Sequence, residues 1–461
     1  MLYDLAIVGS GGAGFAAAIA ARRRGLSVVM VERATTGGTC VNVGCIPSKA
    51  LLAAAAARRA ALDGRFPGLA TSAGPVDLAA LVAGKDELVE ALRAERYEDL
   101  AADYGWRIVH GDARFVAGPA LEVAGERIEA AHYLVATGAS PSVPPVPGLA
   151  EAGYLTSTSA LALRELPASL VVVGGNYVGL ELGQLFSRLG CRVTIVEALD
   201  RVAPGEEPEL SAVIAEVLAD EGVEVWTSAR LAEVARDAGG VRVRTADGRE
   251  ARADQLLVAT GRRPVTAGLD LAAVGVETAP SGAVVVDDFL RSGNPRIWAA
   301  GDVTGAPQFV YVAAAQGTTA VENAFGGARR RLDWTHLPRV TFTAPNLASV
   351  GLTDAQAAKA GLACSCRVLP LSYVPRAIVS RDTRGVVKIV ADAATGRVVG
   401  VHLAAEGAGD VILAATYALE AGMTVEQLAS TWAPYLTMGE GLKLAAQSFA
   451  TDVARLSCCA A

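Results

Sequence analysis

The chain has 461 residues, 52% hydrophobic, 19% charged and only 5% aromatic, with a formal net charge of −7 and a pI near 5.4. Its length suits roughly three domains of about 150 residues, and its acidic balance argues against a nucleic-acid or anionic-membrane partner. Much of the apolar content is Ala and Val, no run reaches the roughly 18 apolar residues of a spanning helix, and the N-terminus has no basic segment of the secretory kind. Seven cysteines, an odd number, do not suggest a disulfide-stapled secreted fold. A cytoplasmic protein with working thiols fits better.

Apolar runs alternate with helical patterns, which predicts an α/β architecture. Residues 5–9 read as a short buried strand. Gly9-Ser-Gly11-Gly-Ala-Gly14 follows, then a helix to about Arg24 and a strand over 27–31 that ends at Glu32. These glycines permit a tight turn and close backbone approach to a pyrophosphate, and the helix N-terminus supplies positive potential. Glu32 is placed to accept from a ribose hydroxyl. The bland alternative is a Gly-rich turn with no ligand; four agreeing parts outweigh it.

Next comes Gly37-Gly38-Thr39-Cys40-Val41-Asn42-Val43-Gly44-Cys45-Ile46-Pro47-Ser48-Lys49. The Cys40–Cys45 spacing differs from a thioredoxin-type C-x-x-C, and residues five apart do not lie face to face on one helix. Cys40 is therefore expected in a loop or first turn, and a helix N-terminus would lower a thiol pKa. Two buried structural cysteines are the alternative; the dinucleotide fingerprint just upstream weighs against it. The Ala-rich stretch after Lys49, broken by Arg58 and Arg59, reads as an ordinary helix.

Residues 141–148 carry four prolines and look like a linker, since proline blocks both helix and sheet ladder. A second nucleotide unit follows: a strand over 170–173, Gly174-Gly-Asn176-Tyr-Val-Gly179, a helix to about Leu189, and a strand over 192–196 ending at Glu197. It is the weaker fingerprint, with Asn176 at the middle glycine. Glu197 favours NADH, because a 2′-phosphate would meet a carboxylate; Arg201, close in sequence, softens that objection. Further boundaries fall near residues 264 and 336. The expected division is 1–148 and 265–335 for the first nucleotide domain, 149–264 for the second, and 336–461 for a C-terminal domain without a nucleotide fingerprint, whose expected job is oligomerisation. Strands over 339–342, 385–391 and 398–403 mix there with helices over 410–421 and 441–451.

Three cysteines read as structural: Cys191 in the second unit, and Cys364 with Cys366, whose C-x-C lacks neighbouring histidines or carboxylates in sequence to complete a zinc site. The vicinal Cys458 and Cys459 near the C-terminus read either as adventitious thiols on a frayed tail or as a second working dithiol. Exposed adjacent cysteines invite oxidation, a risk that favours the functional reading. The four histidines, at 110, 132, 336 and 402, leave the segment after Thr431 without one.

Together, residues 9–14, the Cys40–Cys45 motif with Pro47-Ser48-Lys49, Ala136-Thr137-Gly138, Ala259-Thr260-Gly261 and Ala300-Gly301-Asp302 resemble the flavin-dependent pyridine nucleotide–disulfide oxidoreductases over essentially the whole chain. The resemblance implies two Rossmann-like dinucleotide-binding domains plus a C-terminal α+β dimerisation domain. It also implies FAD against the inner Cys45, an exchanging outer Cys40, Lys49 paired with Glu181 near the flavin, and Asp302 on the FAD chain. Cofactor-binding positions implied with these are Gly9, Gly11, Gly14, Glu32, Gly38, Thr39, Thr137 and Gly138 for FAD. For NADH or NADPH they are Gly174, Tyr177, Gly179, Glu197 and Gly261, with Tyr177 covering the nicotinamide face of the flavin.

Within the family, disulfide reductases carry a His-x-x-x-x-Glu pair on the partner subunit; here Tyr435 stands at the histidine and Glu440 at the acid. A phenol with a reference pKa near 10 is a poor proton shuttle at neutral pH. Trp432-Ala-Pro-Tyr435-Leu-Thr-Met with the terminal Cys458-Cys459, and Tyr97 as a second tyrosine, look like the mercury-reducing branch. Without that resemblance Tyr97 reads as helix packing. The branch implies a cytoplasmic homodimer with shared active sites, taking Hg(II) from small-thiol complexes. Cys458 and Cys459 of one subunit would pass the metal to Cys40 and Cys45 of the other, making both pairs metal ligands. Many members of that branch carry an extra N-terminal C-x-x-C domain and use NADPH; this chain starts at the flavin domain, so delivery is expected to rely on the tail or other carriers. The rival readings are a dihydrolipoyl dehydrogenase-like subunit, opposed by the absent C-terminal histidine, and a non-enzymatic thiol metal sink, opposed by the complete nucleotide motifs.

Overall fold

The first strand, Leu2–Val8, is apolar on both faces from Leu5 onward, as a strand covered on both sides must be. It lies at the centre of a parallel arrangement. Val28–Glu32 and then Arg107–His110 flank it on one side; Glu126–Val135 and then Ile297–Ala299 flank it on the other. The start of Glu126–Val135 continues antiparallel into Ala120–Val123 and Ala113–Val116. This structure is a computed structural model that describes residues 2–455; Cys458 and Cys459 lie outside the described residues.

The helix Gly12–Arg22 crosses back over the first sheet and packs along Val310–Phe325. A Cβ on Gly317 would collide with the Ala13 carbonyl, so that crossing depends on a residue without one. A second parallel sheet has the order Glu224–Trp226, Arg192–Val196, Ser169–Val173, Gln255–Val258. A three-stranded antiparallel meander covers it. The C-terminal region is a five-stranded antiparallel sheet, ordered Arg339–Thr341, Asn346–Gly351, Val398–Ala405, Val386–Asp392, Cys364–Pro370. Helices Ala408–Glu420 and Glu440–Gln447 pack on it.

Residues 141–148 are not wholly linker. Ala139–Pro141 forms a short strand paired antiparallel with Arg262–Pro264. Pro141 is tolerated because it ends a two-stranded ribbon, where few ladder bonds are at stake. The ribbon joins the two places where the chain passes between the nucleotide units.

The helix Cys45–Leu62 buries Leu51 and Ala55 in a core shared with Leu180, Leu185 and Phe186 of Tyr177–Leu189. Truncating a buried leucine such as Leu51 to alanine costs about 2–5 kcal/mol. The stretch Gly38–Leu62 is long and apolar enough by length and composition to cross a membrane, contrary to the sequence reading. Two features set it apart from a single apolar span: it is two helices broken at Val43–Gly44, and its cations are engaged. Lys49 meets Glu181, Arg58 donates to the Arg188 carbonyl, and Arg59 pairs with Asp63.

Candidate active site

The phosphate loop is built on three glycines with different reasons for being glycine. A Cβ on Gly9 (φ 107°) would collide with the Ala136 carbonyl, and one on Gly14 with the Gly9 carbonyl. Gly11 differs: a Cβ there would meet nothing nearer than Gly38 Cα at 3.9 Å. The fold itself does not need glycine at 11. What the missing side chain leaves is open space at the N-terminus of Gly12–Arg22, which has no side-chain cap. Uncapped N–H groups facing open space fit a pyrophosphate.

Glu32 accepts the Ser10 N–H at 3.1 Å, the Ser10 hydroxyl at 2.6 Å and the Ala34 N–H at 2.8 Å. Ser10 Oγ in turn accepts the Gly37 N–H at 3.0 Å. A Cβ on Gly38 would lie 2.6 Å from Gly11 Cα. The cysteine loop is thus attached directly to the phosphate loop. A cavity of about 170 Å³ beside them is lined by Gly9, Glu32, Asp112, Thr137 and Val265. Thr137 donates to the Val265 carbonyl at 2.6 Å, and Gly138 follows at φ 69° with nothing within 4 Å of a built Cβ. Asp302 follows Gly301 (φ 82°), whose N–H donates to Gln316 Oε1 at 2.6 Å. Burial raises the Asp302 carboxyl, and Arg262, 4.0 Å away, opposes this. The set fits FAD.

Cys40 lies on the one-turn helix Gly38–Asn42, beside the exposed Thr39, and Cys45 opens the helix Cys45–Leu62. Both are free thiols. The Cys40 thiol donates to the Cys45 sulfur; that bond, assisted by Lys49 and opposed by burial, lowers the Cys45 thiol to about 7. The same bond and burial drive the Cys40 thiol up. Lys49, one turn along from Cys45, places Nζ 2.7 Å from Glu181 Oε2 and 4.5 Å from the centre of the Phe342 ring. Glu181 Oε1 accepts the Phe342 N–H at 2.9 Å. Glu181, on the second unit's helix, thereby joins all three regions of the chain.

Tyr97 falls in a π-helical turn, Ala94–Glu98, at the end of Leu78–Arg93. One extra residue per turn re-aims a side chain, and such turns recur at functional sites. Its ring stands edge-on to Phe15 at 4.7 Å, and its Cγ would be 3.3 Å from a Cβ on Gly37. Burial raises its phenol, with Cys40 and then Cys45 adding to the rise, so it is electrostatically beside the dithiol. Phe15 and Phe342 were missed by the sequence reading; no motif singles them out.

In the second unit, Gly174 (φ 109°) lies where a Cβ would be 2.5 Å from the Ala259 carbonyl oxygen, and a Cβ on Gly179 would collide with the Gly174 carbonyl. Asn176 is the N-cap of Tyr177–Leu189 but makes no side-chain cap bond. The buried Glu197 accepts the Gly175 N–H at 2.6 Å and the Leu199 N–H at 2.8 Å. A cavity of about 320 Å³ is lined by Gly174, Asn176, Tyr177, Glu197, Gly261 and Arg262, among others. Arg201 does not line it. Its Nη2 donates to the carbonyls of Pro204 at 2.9 Å and Glu206 at 3.2 Å, so it does not offset Glu197 there.

Tyr435 and Trp432 lie on the segment before Glu440–Gln447, 48% and 98% exposed. The buried Glu440 accepts the Leu436 N–H at 3.2 Å, which holds Leu436 at φ 61°. Cys191 is buried and its thiol is pushed up to about 12 by burial, as a structural cysteine should be. Cys364 and Cys366 need correction: their sulfurs and a carboxylate oxygen of Asp354 all lie within 4.8 Å of one another. The carboxylate comes from a helix too distant in sequence to be seen as a neighbour.

The family model described as pyridine nucleotide-disulphide oxidoreductase matches residues 3–317, and the dimerisation-domain model of the same family matches residues 337–446. A mercuric reductase of Streptomyces lividans is 59% identical over 99% of this chain and 98% of its own length. One from Bacillus cereus is 49% identical over 99% of this chain and 73% of its own length. Among solved structures, the HOCl-induced flavoprotein disulfide reductase RclA from Escherichia coli superposes with a TM-score of 0.87. It is 32% identical, over 96% of this chain and 99% of that one.

Proposed function

The chain belongs to the pyridine nucleotide-disulphide oxidoreductase family, and on that premise we propose that it reduces Hg(II) to Hg(0) with electrons from a nicotinamide coenzyme, as a mercuric reductase. The observation that carries the reading is the 59% identity with a mercuric reductase over 99% of this chain, joined to a Cys40–Cys45 loop fastened to the phosphate loop where Gly38 meets Gly11. FAD would be held by Gly9, Gly11, Gly14, Glu32, Gly38, Thr39, Thr137, Gly138 and Asp302, and when bound would supply two-electron transfer between the coenzyme and the metal.

The protein's part is to hold the metal and manage protons. Hg(II) is soft and prefers thiolates. The Cys45 thiolate attacks a bis-thiolate complex and displaces one small thiolate, which takes the Cys40 proton. The Cys40 thiolate then displaces the second. One thiol and one thiolate leave, and the metal is held by two cysteines without being freed. Lys49 keeps Cys45 ionised, and Glu181 fixes Lys49 in place. Tyr97 walls the pocket on the Cys40 side.

Tyr435 lies on the dimerisation domain and is 48% exposed in one subunit. A homodimer formed through this domain would bring Tyr435 of one subunit toward the dithiol of the other, with Cys458 and Cys459 delivering metal between subunits. The domain division at 148 and 264 is supported by the ribbon that pairs 139–141 with 262–264, and that at 335 by the dimerisation-domain match that begins at residue 337. Glu197 in the coenzyme cavity, with Arg201 turned into backbone carbonyls, favours NADH.

The test is oxidation of NADH and of NADPH by FAD-loaded protein given Hg(II) in excess small thiol, with volatile mercury trapped. Hg(0) release coupled to NADH oxidation is expected. Turnover on lipoamide with none on mercury would replace the proposal with the dihydrolipoyl dehydrogenase-like reading.

A further inference from the structure

We infer that Asp354, Cys364 and Cys366 form a second metal site, for a thiophilic divalent cation, on the C-terminal sheet. Cys364 and Cys366 occupy alternate positions on Cys364–Pro370, the edge strand. Period-two alternation puts both sulfurs on one face. The register shows which face it is: Cys366 pairs with Val390 and Val368 with Lys388, which pairs with His402. Arg367, between them, turns to the other face, where it donates to the Ser448 carbonyl at 3.3 Å.

Asp354 reaches the cysteines from the first turn of Asp354–Lys359, held by three fastenings. A capping box closes between Thr353 and Gln356. The Asp354 N–H donates to Glu207 Oε1 at 2.7 Å, and its carboxylate accepts from Lys388 Nζ at 3.3 Å. Lys388 is buried and also meets Glu207 at 3.0 Å and Glu209 at 2.9 Å. Three carboxylates thus share one ammonium, which leaves the cluster two negative charges in excess. His402 packs at its back, 3.8 Å from Glu207, and burial lowers its pKa, so it adds no cation.

The donor set, two sulfurs and one oxygen, suits soft or borderline metals. Sulfur ligands of a tetrahedral zinc stand about 2.3 Å from the metal and hence roughly 4 Å apart, and the three ligand atoms here lie within 4.8 Å of one another. Binding releases one proton from each thiol; the fourth position is left to water or a small thiol. All three residues are partly exposed, so a cation can enter from solvent. This sheet carries no nucleotide loop, so metal held here is stored and not reduced. The inference is independent of the mercury reading.

The experiment uses full-length, FAD-loaded protein in which Cys40, Cys45, Cys458 and Cys459 are all changed to serine. Cd(II) alone is the probe, followed by thiolate-to-metal charge-transfer absorbance and calorimetric titration. Saturation at a single equivalent per subunit is expected, lost on adding Cys364→Ser with Cys366→Ser, and weakened about tenfold by Asp354→Asn, the scale of a lost ligand-shell partner. No binding, binding that survives loss of both cysteines, or binding indifferent to Asp354→Asn would each overturn the site. Mercury-dependent NADH oxidation by the unaltered enzyme tests the proposed function separately.

Discussion

Removing Lys49 should raise the pKa of Cys45, and neutralising Glu181 should lower it. Residues four apart on a helix have Cβ atoms about 6 Å apart, and a unit charge at that distance in an effective dielectric of about 20 is worth roughly 3 kcal/mol. Lys49 is 34% exposed, and Glu181 at 2.7 Å cancels part of its field. Screening reduces the effect to about 1–1.5 kcal/mol, or about one pKa unit. Cys45 starts near 7. The assay is the rate of iodoacetamide alkylation of reduced protein against pH, read on the Cys45 peptide by mass spectrometry. Lys49→Met should move the midpoint up by about one unit. Glu181→Gln keeps an acceptor for the Phe342 N–H but removes the anion that raises Cys45, so its midpoint should fall below the unaltered protein's. Cys40→Ala, which removes the largest lowering influence, should also raise it, while Cys40→Ser keeps a donor and should change it less. A Lys49→Met midpoint that stays put or falls, or movement of the Lys49 and Glu181 variants in the same direction, would refute this electrostatic account.

The glycines of the first loop should separate by reason. Gly11→Ala should leave unfolding stability within about 0.5 kcal/mol yet weaken FAD binding at least tenfold, whereas Gly14→Ala should destabilise the protein by about 1–3 kcal/mol through its clash with Gly9; urea unfolding and flavin fluorescence titration distinguish them. Lys388→Met strips the buried Glu207 of its cation and should cost about 3–5 kcal/mol in denaturant unfolding; a loss below about 1 kcal/mol would show that solvent reaches the cluster. Cys40→Ala or Cys45→Ala should abolish Hg(0) release. Cys458→Ala with Cys459→Ala should slow turnover chiefly when mercury is held by strong thiol ligands, and unchanged rates on such complexes would remove the tail from the delivery route.

Short-range relations carried most of the architecture into the sequence. Strand, glycine turn, helix and terminal acid lie within about 25 residues in each nucleotide unit, and their patterns report directly on local backbone geometry. The Cys40–Cys45 spacing likewise put Cys40 in a loop or first turn, and it lies on the one-turn helix Gly38–Asn42; that Cys45 opens the longer helix was not read from the sequence. Lys49 with Glu181 was legible only through the family resemblance, since 132 residues separate them. Nothing local showed that Phe342 closes that pair, that the π-turn brings Tyr97 to the dithiol, or that Arg201 spends its guanidinium on Pro204 and Glu206. Cys364 and Cys366 were read as structural for the same reason: Asp354 meets them only because sheet register and a capped helix set them side by side. The sequence by itself determined the elements and the nucleotide loops and singled out Cys40 and Cys45 as the candidate pair, because these depend on bonding and sterics between near neighbours. Tertiary structure alone decided which distant charges and rings surround each thiol, because that proximity is set by packing between units and leaves no periodic trace in the chain.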